Sequence, residues 1–125
     1  MADFSIKQGE DKKVMLTVTQ GGSNIDVSTA PKIMAKLLIG GVFAKNYSLT
    51  PEADYGTLEV DGTNNYQVNL FIERADSKLF PVGIMTVALV VEFTDTSFPV
   101  TGTRTQEWAY TIGRVSVGQG IDLDL

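Results

Sequence analysis

Apolar residues recur at every second position along much of this chain. Val14, Leu16 and Val18 alternate with Met15, Thr17 and Thr19, and Tyr66, Val68, Leu70 and Ile72 alternate with Gln67 and Asn69. A period of two belongs to a strand with one face buried, so both segments are predicted as half-buried strands. Phe4 and Ile6 open the chain with a shorter strand of the same kind. Towards the other end, Trp108, Tyr110 and Ile112 share one face while Glu107, Ala109 and Thr111 share the other. Gly113 then invites a bulge before Val115 and Val117.

Other segments read as strands on different grounds. "KIMAKLLI" fits helix or strand by composition, but Gly40-Gly41 cuts it at eight residues and no capping box precedes it. It is predicted as a strand, followed by strands in "VFAKNYSL" and "GTLEV". "VGIMTVALVVEFT" is apolar at consecutive positions, which predicts a central strand covered on both faces. Gly21-Gly22 and Asp61-Gly62 mark turns, and Pro31 keeps the connector before it extended. Glu73 to Lys78 reads as one helical turn ended by Pro81, a crossover whose buried face is expected from Leu79 and Phe80. Seven or eight strands at regular spacing with one helical turn predict an all-β fold, an antiparallel β-sandwich of immunoglobulin-like type. A single domain over residues 1–117 and an acidic tail over 118–125 are expected, with no internal repeat.

Composition narrows the function classes. The 125 residues can bury one core without disulfides, and the hydrophobic and charged fractions, 43% and 20%, are those of a globular chain. The net charge is −5, and Lys7, Lys12 and Lys13 are interleaved with Asp3, Glu10 and Asp11, so no basic patch for nucleic acid is expected. With no cysteine and no histidine, thiolate nucleophiles, Ser-His-Asp catalysis and imidazole or thiolate metal sites are excluded. "MADFSIKQGEDKK" lacks an apolar signal core, and the longest apolar runs fall short of the roughly 20 residues that span a bilayer. A soluble protein made in a cytoplasm, with no membrane partner, is expected.

No phosphate-binding, nucleophile-elbow or zinc-protease motif occurs. Glu59 to Asn65 offers oxygen ligands without the spacing of a calcium loop, and reads as a hairpin turn. Asp122 and Asp124 can attract a cation or basic partner, though such tails are commonly just solvated. Glu107 with Glu92 is a conceivable acid/base pair, though surface charge is the commoner role. Trp108 and Tyr110 suit a sugar platform or a core, and Ile112 continuing their face favours the core. Phe43, Tyr47, Tyr55 and Phe98 lie in or near expected loops and are the candidates for exposed contacts. No enzyme activity, catalytic residue, cofactor or metal is expected.

The order of several short motifs carries a resemblance. They are "FSIKQGEDKKVMLTV", "GGSNIDVSTAPKIMAKL", "DYGTLEV" and "LFIERADSKLFPVGIMTVALVVEF". Gln8-Gly9-Glu10 stands where a "QGD"-like turn is expected, with Glu for Asp. Gly22 with Asp26, Val27 and Ala30 matches a connector into the next strand. Ala75 to Leu79 and then Gly83 match a helical step before a long strand, with one extra residue. Over roughly residues 4–117 the chain resembles the N-terminal immunoglobulin-like domain of phage baseplate upper proteins and related virion components.

The resemblance implies a non-enzymatic bacteriophage virion structural protein, assembled in the host bacterial cytoplasm, that contacts copies of itself and neighbouring capsid or tail proteins. No fibre-forming coiled coil or receptor-binding tip follows the domain, which favours an auxiliary capsid, head-decoration or small tail or baseplate piece. Assembly contacts are then expected from residues 2–6, including Phe4, and from the loops holding Phe43, Tyr47, Tyr55 and Phe98. The alternative is a carbohydrate-binding β-sandwich module using exposed Tyr47 or Tyr55.

Overall fold

A computed structural model describes residues 5–118. Phe4 and nearly all of the expected acidic tail lie outside the described residues. The elements in chain order are β1 (Ser5–Lys7), β2 (Lys12–Thr17), β3 (Thr19–Gln20), β4 (Ser23–Asn24), β5 (Lys32–Ile39), β6 (Val42–Ser48), β7 (Gly56–Val60), β8 (Gln67–Ile72), α1 (Arg74–Ser77), β9 (Gly83–Thr94) and β10 (Thr103–Ser116). "KIMAKLLI" is a strand because the β5–β6 hairpin turns on Gly40 and Gly41, whose φ values of 60° and 81° only glycine adopts freely. The predicted bulge is also present: β10 slips register against β9 between Thr111 and Gly113.

The strand order overturns the sandwich. Eight strands form one sheet in the order β1-β10-β9-β5-β6-β7-β8-β2, and that sheet curls into a nearly closed barrel. Two of its pairings are parallel: β1 with β10, and β6 with β7. An immunoglobulin-like sandwich stacks two antiparallel sheets, so the likeness to phage baseplate domains falls with the sandwich. Alternation records only that each strand has one buried face, and sandwich and barrel satisfy it equally. What separates them is long-range pairing. The segment 49–55 carries the chain back so that β7 starts beside the end of β6 and runs parallel to it, at Tyr47 with Gly56 and Ser48 with Thr57.

On the far side the curl is completed by side chains. β1 covers only Arg114 to Ser116 of the long β10. Beyond it, Trp108 Nε1–H donates to the carbonyl of Thr19 at 2.8 Å and Tyr110 O–H donates to that of Thr17 at 2.7 Å. Gln106 Nε2 donates to Gln20 Oε1 at 3.3 Å. Trp108 also meets Phe93 edge to face, with ring centroids 6.2 Å apart. These aromatics face inward and pack on the core, as their shared face with Ile112 suggested.

The interior is filled by Ile6, Leu16, Ile33, Leu37, Ile39, Leu70, Ile72, Met85 and Leu89, all essentially inaccessible. Each such side chain contributes about 1.5–3 kcal/mol over leaving it in water. The α1 crossover links β8 to β9, which are not neighbours in the sheet. It is anchored by polar groups as well as by burial. The Asp11 carboxylate accepts from the Arg74 N–H at 2.6 Å, serving a helix start whose own Glu73 makes no side-chain cap. Buried Ser77 accepts from Gly9 N–H at 3.1 Å and donates to the Glu10 carbonyl at 2.7 Å. Phe80 is buried as expected, but Leu79 is 79% exposed, so the buried face of the crossover is Ser77 and Phe80.

Candidate interaction surface

β9 lies between β5 and β10, so its two faces meet different surroundings. Met85, Val87, Leu89 and Val91 point into the barrel and are buried. Thr86, Ala88 and Val90 point outward and are half-buried. The registers extend this outer face into rows across three strands. Met34, Val90 and Glu107 form one row; Lys36, Ala88 and Ala109 the next; Leu38, Thr86 and Thr111 the third. Ile84 beside Arg114 continues it at one end, and Phe43 beside Leu38 widens it towards β6. The outer wall is therefore small or apolar at its centre, with Lys36 on one flank and Glu107 on the other.

The sequence predicted cover on both sides of β9, and the structure corrects this. Among the described residues no helix or second sheet packs over the wall. The consecutive apolar positions were a true signal of a strand that gains from contact on both faces, but the described residues supply only one of them.

At the Phe43 end the wall runs into a rim of further apolar side chains. Val42 is 64% exposed, Phe43 53%, Val82 51% and Ile84 47%. A groove of about 180 Å³ lies there between Phe43, Ala44, Leu79 and Pro81, with the Lys45–Asp76 ion pair at 3.0 Å in its lining. Lys36 Nζ lies 6.0 Å from the centre of the Phe43 ring, placing both on the wall side.

The residues proposed from sequence as contacts are not gathered together. Phe43 is exposed at the rim. Phe98, in the β9–β10 loop beside the almost fully exposed Val100, sits at the other end of β9. Ten residues of extended strand, about 33 Å, separate these ends. Tyr55 is half-buried just before β7. Tyr47 is not in a loop at all: it occupies β6 with its side chain fully buried, so it offers no surface contact. Phe4 lies outside the described residues. Sequence reasoning missed Ile84, Val82, Val42 and the outward residues of β5 and β9.

The other chemistry weighed from sequence resolves into structure. The Asp61 carboxylate accepts from the N–H groups of Asn64 and Thr63 at 2.9 and 3.1 Å, and these bonds hold it below the usual carboxylate range. It shapes the β7–β8 turn, as the sequence suggested. Asp26 and Asp95 are held low in the same way, by the hydroxyl and then the N–H of Ser28 and Ser97. Glu92 and Glu107 sit diagonally on the outer wall, where Glu92 accepts from the Thr103 hydroxyl at 3.3 Å.

Among the described residues no three acidic side chains are placed to hold a metal ion, and no helix is long and apolar enough to cross a membrane. A larger open groove of about 630 Å³ lies on the opposite wall, over β2, β7 and β8. Asp11, Glu59 and Glu73 alternate there with Lys12 and Lys13 around Phe71. Small-molecule sites place a few polar groups in a mostly apolar pocket; here five of the eight lining residues are charged, although apolar atoms supply most of the lining surface.

Comparisons of the chain with protein-family models, with curated proteins and with solved structures find no match in any of the three. The surface therefore has to be read from its own chemistry.

Proposed function

We propose that this chain is a non-enzymatic assembly protein that works through protein–protein contacts, with the β5–β9–β10 wall and the adjoining Phe43 rim as its contact surface. The supporting observation is the uncovered outer face of β9, where Thr86, Ala88 and Val90 stand beside Met34, Leu38, Ala109 and Thr111, with the charges of Lys36 and Glu107 at the flanks. Contiguous apolar surface of this kind marks interaction sites on soluble domains. Its small residues let a partner backbone approach closely.

The narrower part of the proposal is the setting. Such a part serves as an auxiliary capsid, head-decoration or small tail component of a bacteriophage virion, where repetition makes small interfaces sufficient through avidity. Mass spectrometry of purified virions tests the setting: the chain is expected at a fixed stoichiometry to the major structural proteins, and its absence removes the virion. Val90→Glu tests the surface. It places a charge in the centre of the wall and is expected to abolish incorporation while the chain stays folded. Unchanged incorporation would show that another surface makes the contact.

A sugar-binding reading has less support. Tyr47 is buried, and Trp108 and Tyr110 face inward to the β2 and β3 carbonyls, so no exposed aromatic platform is assembled among the described residues.

A further inference from the structure

At the centre of the wall the two flanks carry opposite charge, Lys36 on β5 and Glu107 on β10, and this selects a partner. On β5 the outward basic residues are Lys32 and Lys36; on β10 the outward charges are Glu107 and, past the bulge, Arg114 beside Ile84 at the end of the wall. Lys32 stands directly across from Glu92 on β9, which leaves Lys36, flanked by Asn46 and Ala88, as the unbalanced cation. Glu107 is flanked on β9 by Val90 and has no ion-pair partner among the described residues.

We infer that the partner seated on this wall is a second copy of the chain, packed face to face about a two-fold axis running nearly along β9. The inference rests on the reading of the wall as an assembly surface and names its occupant. A two-fold between stacked sheets lies in the plane between them, and two orientations matter. An axis along β9 puts β5 of one copy over β10 of the other. Glu107 of each copy then falls in the row of the partner's Met34, two residues from the partner's Lys36, a distance of about 6.6 Å along the strand that a lysine side chain spans. An axis across β9 instead stacks β5 on β5 and β10 on β10; centred on the Ala88 row it sets Lys36 directly against Lys36, and shifted to bring Glu107 to the partner's Arg114 it leaves the two Lys36 about 6.6 Å apart along the strands. Like charges juxtaposed at an interface disfavour that arrangement.

The first orientation is isologous and closes at two copies. Ala88 and Ala109 at its centre allow the close sheet-to-sheet approach that aligned packing needs. Three strands over eight residues present about 15 by 26 Å, or about 400 Å² per copy. The total of about 800 Å² lies below the roughly 1,200–2,000 Å² of standard specific interfaces, so the dimer is weak, forms with rising concentration and is reinforced where many copies are held together.

Sedimentation of the full chain over a wide concentration range tests this. Wild type is expected to shift from monomer towards dimer. Glu107→Lys and Lys36→Glu are each expected to weaken that association by about tenfold or more, and the two together to restore it. Lys13→Glu on the opposite wall is expected to change little, and near-UV spectra confirm that every variant is folded. A wild type that stays monomeric throughout, reversals without effect, a double variant that fails to recover, or equal weakening by Lys13→Glu would each overturn the inference. The underlying reading fails separately. If wild type is monomeric yet Val90→Glu blocks incorporation into particles, the wall remains an assembly surface with a different occupant. If Val90→Glu leaves incorporation intact, the assembly reading is lost.

Discussion

Two seams join the curled sheet, and they are built from different parts of the polypeptide. Between β6 and β7 the joint is backbone: two parallel residue pairs, with the buried Tyr47 ring lying against Gly56. Between β10 and β2 the joint is side chain, where Trp108 and Tyr110 reach across to the carbonyls of Thr19 and Thr17. The first demands room and the second demands donors. A backbone seam fails when something is added to it, and a side-chain seam fails when something is removed.

The largest effect is therefore expected at Gly56. A methyl group there would overlap Cδ2 and Cε2 of Tyr47, and a fully buried ring has nowhere to retreat. Gly56→Ala is expected to destabilise by about 3 kcal/mol, at the upper end for overpacking. Chemical denaturation measures it directly. A loss near zero would mean that β6 and β7 separate easily and that the barrel is held elsewhere.

At the other seam Tyr110→Phe removes one hydroxyl donor and leaves the ring. The Thr17 carbonyl loses its partner, and about 1 kcal/mol of stability is expected to go with it. The same hydroxyl gives this seam a pH dependence. Burial pushes the Tyr110 phenol up to about 12, above the value near 10 of an unfolded tyrosine. The unfolded chain then gives up this proton first, so the contribution is intact below about pH 10 and declines as pH rises from there towards 12. Wild type is expected to lose stability more steeply than Tyr110→Phe over that window, as denaturation midpoints at several alkaline pH values would record. Parallel curves for the two proteins would mean that the phenol is not held at the seam.

The seams also mark where the sequence stopped being informative. Strand positions were legible because alternation and glycine turns are local: β2, β5, β8 and the Gly113 bulge all follow from neighbouring residues. The α1 turn was legible for the same reason. Barrel closure was not, because it depends on Tyr47 meeting Gly56 and on Trp108 meeting Thr19, pairings that leave no periodic trace. The aromatic face of Trp108, Tyr110 and Ile112 was read correctly as inward, yet nothing in it said that two of the rings would cap another strand. The contact surface was half legible. The apolar run of β9 announced two faces to be covered, and only the fold reveals that the described residues cover one. Tyr47 was misplaced because "KNYS" looks like the approach to a loop, whereas β6 continues to Ser48 and turns that side chain inward.

The sharpest use of the comparison is to make the same substitution at both seams. Tyr47→Phe and Tyr110→Phe each delete one phenolic oxygen and change nothing else. At Tyr47 the hydroxyl is buried with no hydrogen-bond partner among the described residues, and burial together with the nearby charges of Asp76 and Glu73 drives its proton affinity up. A buried donor without a partner costs its desolvation and returns nothing. Tyr47→Phe is therefore expected to be neutral or to stabilise by up to about 1 kcal/mol, opposite in sign to Tyr110→Phe. The ring, and with it the packing on Gly56, is kept. If denaturation instead shows Tyr47→Phe to be as costly as Tyr110→Phe, the Tyr47 hydroxyl has a partner, and the backbone seam depends on a donor after all.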